Sequence, residues 1–350
     1  MNRSLLIFVF TAFFGACTEK KEKLVELDLK GKKMVYKELL NPDKVRVNGN
    51  NLYVLESPSM DAMASPIHVI ETRNNTYLKS FGTIGFGPGE ISDASSIEFG
   101  SNDSSFYIYS SIDKKISEFS FSNTDLAKHQ VKQKGDFFKA YSVLRSGDST
   151  FLGLTVDSPS RLVEFSASGD SLAGYGDLEN FSERTDLDYF NLSQMNMGWF
   201  ASNTSRTHFV IANLFSNKIE IFDRDKLTFD RFYLSPKEYM KFDLIAESSG
   251  YSVHWDLSSP YHFRDVVVTE DRIFALYGGI SEAKIQTESD IAKTVYVFSF
   301  AGEIIAKYSL DRSVKSIAVN KDLSKIYGIS TDSDPGIVEF ELPKSSKLNS

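Results

Sequence analysis

One residue in this chain has the setting of a modification site. Cys17, the single cysteine, follows Gly15-Ala16 and an apolar run from Leu5 to Phe14, with Arg3 ahead of the run. A basic start, an apolar stretch too short to span a bilayer, and small residues before a thiol are the pattern of an exported chain cleaved ahead of a cysteine. The expectation is that residues 1–16 are a signal peptide and that Cys17 is lipidated. Several acyl chains would make a stable membrane anchor, since each buried methylene contributes about 0.8 kcal/mol. A lone cysteine forms no intramolecular disulfide, even in an oxidising compartment.

The other residue types that could do chemistry do not assemble into a catalytic pattern. His68, His129, His208, His254 and His262 lack the short paired spacing of a zinc site. Glycines 82, 85, 87 and 89 run through Pro88-Gly89-Glu90 into a strand. A phosphate loop would instead end in Gly-Lys-Ser/Thr at the start of a helix. These glycines therefore read as a corner needing positive φ and close backbone approach, on the same face as the long loops and near the mouth of the central channel. Asp332-Ser333-Asp334-Pro335-Gly336 lacks the remaining oxygens and the distal Glu of a calcium loop and reads as a turn. No Gly-x-Ser-x-Gly elbow precedes a helix. No catalytic residue, metal ligand or cofactor is assigned.

The elements that would position these residues are strands. Aromatic residues make up 13% of the chain, with 28 Phe and 16 Tyr, which favours half-buried sheet faces over a helical bundle. A net charge of -8 argues against a general nucleic-acid binder, because neutralising phosphates needs a basic surface. From Lys33 onward one sentence repeats: four apolar runs separated by polar turns. The first unit comprises Lys44–Val47, Leu52–Glu56, Ile67–Glu71 and Tyr77–Phe81, and later units begin at Ser96, Ala140, Gly198, Arg264 and Val314. The sixth unit has three runs, and its missing strand is available in Lys33–Leu39. The reading is all-β: a six-bladed β-propeller over residues 33–343, its last blade closed by the N-terminal strand. Residues 17–32 are the lipidated cysteine and a charge-mixed tether, and 344–350 a C-terminal tail.

Asn51-Leu52-Tyr53-Val54, the segment Gly85 to Ile91, Arg272 to Gly279, Val295 to Glu303 and Ile326-Tyr327-Gly328-Ile329 carry a family likeness. In order and spacing they resemble the TolB-like six-bladed propeller lipoproteins of Bacteroidetes, relatives of NHL-repeat propellers. The resemblance implies a cell-envelope lipoprotein, of periplasm or outer membrane, without an assigned reaction.

Propeller topology turns loop length into a functional argument. Within a blade, the turns between second and third strands and the links to the next blade share one face. That face carries every long connector: 57–66, 177–197, 235–262 and 281–293. Long loops on a rigid scaffold carry recognition. The opposite, terse face is where the tether attaches, so the decorated face should point away from the membrane. In the 235–262 insertion, Ser235-Pro236-Lys237-Glu238 has capping-box spacing and predicts a short helix from Pro236 to about Ala246. Candidate ligand-face residues are Arg46, Glu98, Tyr141, Trp199, Arg264 and Lys315 on inner strands, with His254, Trp255, Tyr261 and His262 on the insertion. The expected function is binding of a peptide, protein or glycan partner, with the membrane reached through Cys17. The alternative is a metal-dependent hydrolase or lyase with an axial ion, as in propeller lactonases, for which Glu98, Asp265 and Asn196 are the placeable oxygens.

Overall fold

Alternating apolar and polar residues, interrupted by tight turns, build six antiparallel sheets arranged as blades. The computed structural model describes residues 24–57, 65–100, 104–122, 125–237, 239–247 and 250–343. The innermost strands of the blades are Pro42–Asn48, Ser96–Phe99, Ala140–Arg145, Gly198–Ser202, Pro260–Val268 and Val314–Val319. Each blade buries apolar side chains against the next. Six apolar clusters result, one at each of the six blade interfaces, including the one that joins the sixth blade to the first through Val45, Leu52, Ala318 and Ile329. This ring of cores is what makes the molecule a closed six-bladed β-propeller.

Closure differs in detail from the expectation. Strand β2 (Gly31–Met34) completes the sixth blade by pairing antiparallel with Ile337–Glu341. It is earlier than Lys33–Leu39, where Leu39 instead ends a turn and packs into the interface of the sixth and first blades. Gly31 permits the pairing, because a Cβ there would stand 2.4 Å from the Val338 side chain. Just before it, β1 (Val25–Leu29) adds a parallel fifth strand to the outer edge of the fifth blade, opposite Ala306–Leu310. The stretch expected as tether therefore joins the fold at Val25. Its Val25, Leu27 and Leu29 alternate with Glu26 and Asp28, a period-two signal hidden by charge.

The glycine corner is structural, as its sequence suggests, but it sits at the outer rim. Gly82 (φ +83°) and Gly89 (φ +79°) hold left-handed conformations. The Gly89 amide donates to Gln130 Oε1 at 2.9 Å, its carbonyl accepts from Ala127 at 2.8 Å, and Thr83 Oγ1 donates to the Asp125 carbonyl at 3.1 Å. All three partners belong to the outer edge of the second blade, so the corner is remote from the channel.

The connectors of the fourth and fifth blades form a platform on the decorated face. Helix α1 (Tyr189–Met195), capped by the Asp188 carboxylate, packs on a β-hairpin of Phe242–Glu247 and Gly250–Trp255. The hairpin replaces the helix expected at 236–246. Phe242, Leu244 and Ala246 alternate opposite Tyr251, Val253 and Trp255, and this period-two pattern outweighs the local capping signal. Helix α2 (Glu282–Glu288) closes the group, with the Ala283 amide donating to Leu257. Phe181, Met195 and Val253 give the platform a small core of its own. Most of the 57–66 connector lies outside the described residues.

Candidate functional site

The inner strands enclose a central channel of about 830 Å³. It extends to the terse-face turns at Asn48-Gly49, Gly100, Thr204 and Glu270-Asp271, so the channel runs to the sparse face of the propeller. Four sequence candidates line it: Arg46, Glu98, Tyr141 and Trp199.

Arg46 is committed to structure. Its guanidinium forms a two-pronged ion pair with Asp265, with contacts of 2.8 and 2.7 Å. Asp265 also accepts from Ser316 Oγ at 2.6 Å and from the Ile317 amide at 3.0 Å. Burial alone would push the Asp265 carboxyl up, but Arg46 and these hydrogen bonds hold it below the ordinary value. The residue pair ties the first, fifth and sixth blades together and leaves Asp265 unsuited to hold an axial metal. Asn196 is also elsewhere, buried among Glu179, Leu192 and Lys218. Among the described residues no group of three or more His, Cys, Asp or Glu is placed to hold a metal ion.

Glu98 is differently placed. Its Oε2 accepts from the Arg145 amide at 2.9 Å. Desolvation raises its pKa to about 7, only partly opposed by that amide and by Arg206 and Arg145. Trp199 fixes its indole edge by donating to the Phe263 carbonyl at 2.9 Å, while Lys44 Nζ lies 5.1 Å from its ring centre. Sequence reasoning missed Lys44 and Arg206, which share the charged lining of the channel with Asp265, Glu270, Asp271 and Lys321. No pattern marks them out, since a lysine and an arginine near turns are ordinary surface residues.

Arg264 and Lys315 do not line the channel. Arg264 lies over the Tyr261 ring, 5.2 Å from its centre, and Lys315 approaches Asp43 at 3.9 Å. Register shifts at Phe263/Asp265 and at Val314/Ile317 change the phase of these inner strands, so simple alternation assigns the wrong side chains to the axis.

The insertion candidates belong to the platform. Trp255 stacks on Phe215 with ring centres 4.2 Å apart and meets Phe242 edge-on; Tyr261 meets Phe215 at 5.4 Å. Both are docking residues for the hairpin. His254 is exposed beside them. His262 is buried and faces the Tyr277 hydroxyl at 3.3 Å; burial lowers its pKa to about 4, so it stays neutral. It lines a second cavity of about 240 Å³, walled by Phe181, Phe215, Tyr233 and Met240 with Lys237 at its side. Ser216 Oγ, also in that wall, is buried without a hydrogen-bond partner. Tyr239 and Tyr251 stand 62% and 57% exposed on the same platform.

A buried ionic cluster roots the platform in the propeller. Glu220 receives Arg161 at 2.8 Å, Lys218 at 2.9 Å and Arg231 at 3.3 Å. Lys218 and Lys237 both reach Glu179, at 3.2 and 2.8 Å, in the connector leading to α1. Burial opposes ionisation of Glu220, yet Arg161 and Lys218 hold its carboxyl far below the ordinary range. The sequence shows this cluster only as charges alternating in the strand Lys218–Asp223, where they read as a solvated face. Cys17 lies outside the described residues.

Fold and site together define a β-propeller whose decorated and sparse faces differ in chemistry. The sequence of the family described as TolB-like 6-blade propeller-like matches residues 67–322, and the chain belongs to that family. Two solved structures share the fold. One is a member of the duf4221 family from Bacteroides vulgatus, with a TM-score of 0.59 and 10% identity, covering 92% of this chain and 100% of that one. The other is a Bacteroides fragilis protein named for its inferred export, with a TM-score of 0.54 and 13% identity, covering 91% and 99%. No curated protein matches the chain. Among the described residues no helix is long and apolar enough to cross a membrane.

Proposed function

We propose that this protein is a lipid-anchored binding propeller of the cell envelope that grips a peptide or protein segment on its platform. The observation that carries this reading is the 240 Å³ cavity beside exposed Tyr239. Its aromatic wall suits an apolar side chain, and Ser216 Oγ together with Asn217 and Lys237 offers partners to a polar tip. Tyrosines around an anchoring pocket add contact area at low entropic cost. Glycan recognition through the same tyrosines is the weaker reading, because the pocket is sized for a side chain and its aromatic faces are largely occupied by one another.

The envelope location rests on the signal-like N-terminus, on Cys17, and on the likeness to a structure named for export. Strand β1 begins opposite Ala306, just after the terse-face turn Ser299–Glu303, so an anchor on Cys17 would leave the platform facing away from the bilayer. A photoreactive residue placed at Tyr251 and another at Asp322, on the terse face, test the reading in cells. Crosslinked protein adducts are expected from position 251 and not from 322; equal labelling from both positions, or none from 251, overturns it.

A further inference from the structure

The channel carries a second, separate prospect, because its charges do not balance. Of the acidic groups in its wall, Asp265 is neutralised by Arg46, and Glu270 is occupied by the Ser205 amide and hydroxyl and by Asn203 Nδ2. Asp271, at the terse rim, pairs with Arg272 at 3.5 Å. Three cations of the wall have no such closure: the exposed Lys321 and the partly buried Lys44 and Arg206. Lys44 Nζ makes one hydrogen bond, to the Ser95 carbonyl at 2.7 Å, and no carboxylate of the described residues lies within 4.0 Å of it. Its remaining two N–H donors are free for a guest. Arg206 feels Glu98 as its nearby carboxylate without an ion pair, and its Nη2 is buried with no acceptor.

Burial lowers the Lys44 pKa, and a half-buried ammonium whose one hydrogen bond goes to a carbonyl, with Asp265, Asp43 and Asp93 acting on it only from beyond ion-pair distance, is costly. The same holds for a guanidinium nitrogen without an acceptor. Glu98, fixed through Oε2 by the Arg145 amide, keeps Oε1 free of any protein partner. That oxygen suits a hydroxyl, which can donate to a carboxylate or accept from a protonated carboxyl. The wall thus offers two places for negative oxygens and one for a hydroxyl, in a cavity large enough for a small organic molecule.

We infer that the axial channel binds a small hydroxylated carboxylate, a sugar acid in form, through Lys44 and Arg206 for its negative oxygens and Glu98 for a hydroxyl. This site is independent of the platform and of any partner there.

The test is saturation-transfer NMR and titration calorimetry on the purified mature chain with D-glucuronate, D-galacturonate and D-gluconate as probes and D-glucose as the uncharged control. At least one acid binds, and glucose binds at least about tenfold more weakly. Lys44→Met and Arg206→Gln each weaken that acid by about tenfold or more while circular dichroism stays unchanged, and Leu172→Ser, on an exposed outer strand, leaves it untouched. Arg206→Gln guards against a folding effect of Lys44→Met, because position 206 lies in a turn and position 44 in an inner strand. Absence of binding by all three acids at about 10 mM overturns the inference, as does equal binding of glucose or undiminished binding in both cation variants.

Discussion

The channel and the platform hold their side chains in place in opposite ways. The channel is built from the innermost strand of every blade, so its groups are fixed by the same ladders and interface cores that make the ring. Arg46 and Asp265 show how far this goes: one ion pair spans three blades. The platform is built from what the ring does not need. It has a small core of its own, is docked by aromatic stacking at Phe215, and is rooted by charges that descend from Glu179 to Glu220. A scaffold that holds one cavity through its framework and another through an addition can vary the second without disturbing the first.

The largest effect tests the root. Glu220→Gln leaves Arg161, Lys218 and Arg231 around a neutral amide in a dry interface, and breaking a buried charge cluster in this way costs about 3–5 kcal/mol. A fall in the denaturation midpoint of the whole propeller is expected, with the platform lost along with the blades. If only the platform loosened, the cluster would belong to the addition and not to the ring.

Trp255→Ala comes next. Truncating a large stacked side chain costs about 3 kcal/mol, and here the loss is local to the hairpin. Proteolytic cleavage within 239–258 should rise sharply while amide exchange in the blade strands stays at its original rate. Uniform destabilisation of every blade would erase the distinction between the two regions.

The pH dependence separates them by sign. Glu98 has its pKa raised from 4.5 to about 7 in the folded chain, so its contribution is fully present below about pH 4.5 and is lost as pH rises to 7 and beyond. His262 is lowered from 6.5 to about 4, so its contribution is present above pH 6.5 and is lost as pH falls towards 4. Glu98→Gln should therefore raise the melting temperature relative to the original chain increasingly from pH 5 to 8. His262→Gln should show its relative gain at pH 5 and not at pH 8. The same slope in both variants would contradict the assigned environments.

The smallest structural effect is expected at the exposed platform tyrosines. Tyr239→Ser should change stability by no more than about 0.5 kcal/mol, as surface substitutions do, yet abolish crosslinking to a partner from position 251. A loss of stability without a loss of partner contact would make Tyr239 a packing residue.

Most blade strands could be read from local pattern. Ile67–Glu71 has the bounds that alternation and turn residues assign it, and the units expected to begin at Ser96, Ala140, Gly198 and Val314 begin there. Each of these signals lies within a few neighbouring residues, which is why it survives without an alignment. The hairpin at 242–255 was obscured because a capping box and an alternating run overlap in sequence, and only docking against Phe215 and α1 decides between them. Likewise β1 needed a partner edge, supplied from residues 304–310 almost three hundred positions away.

The sequence by itself determined the repeated four-strand unit, the six-fold count, the need for an N-terminal strand to close the ring, and the face that would carry long loops. These follow from period, turn chemistry and connectivity, all of which are properties of the chain order. Only the tertiary structure decided which inner-strand side chains face the axis. Bulges at Phe263/Asp265 and Val314/Ile317 turn Arg264 and Lys315 away, while Lys44 joins Arg46 and Glu98 in the channel. Such shifts are set by pairing between strands, and pairing brings together residues whose relation is not written in either segment alone.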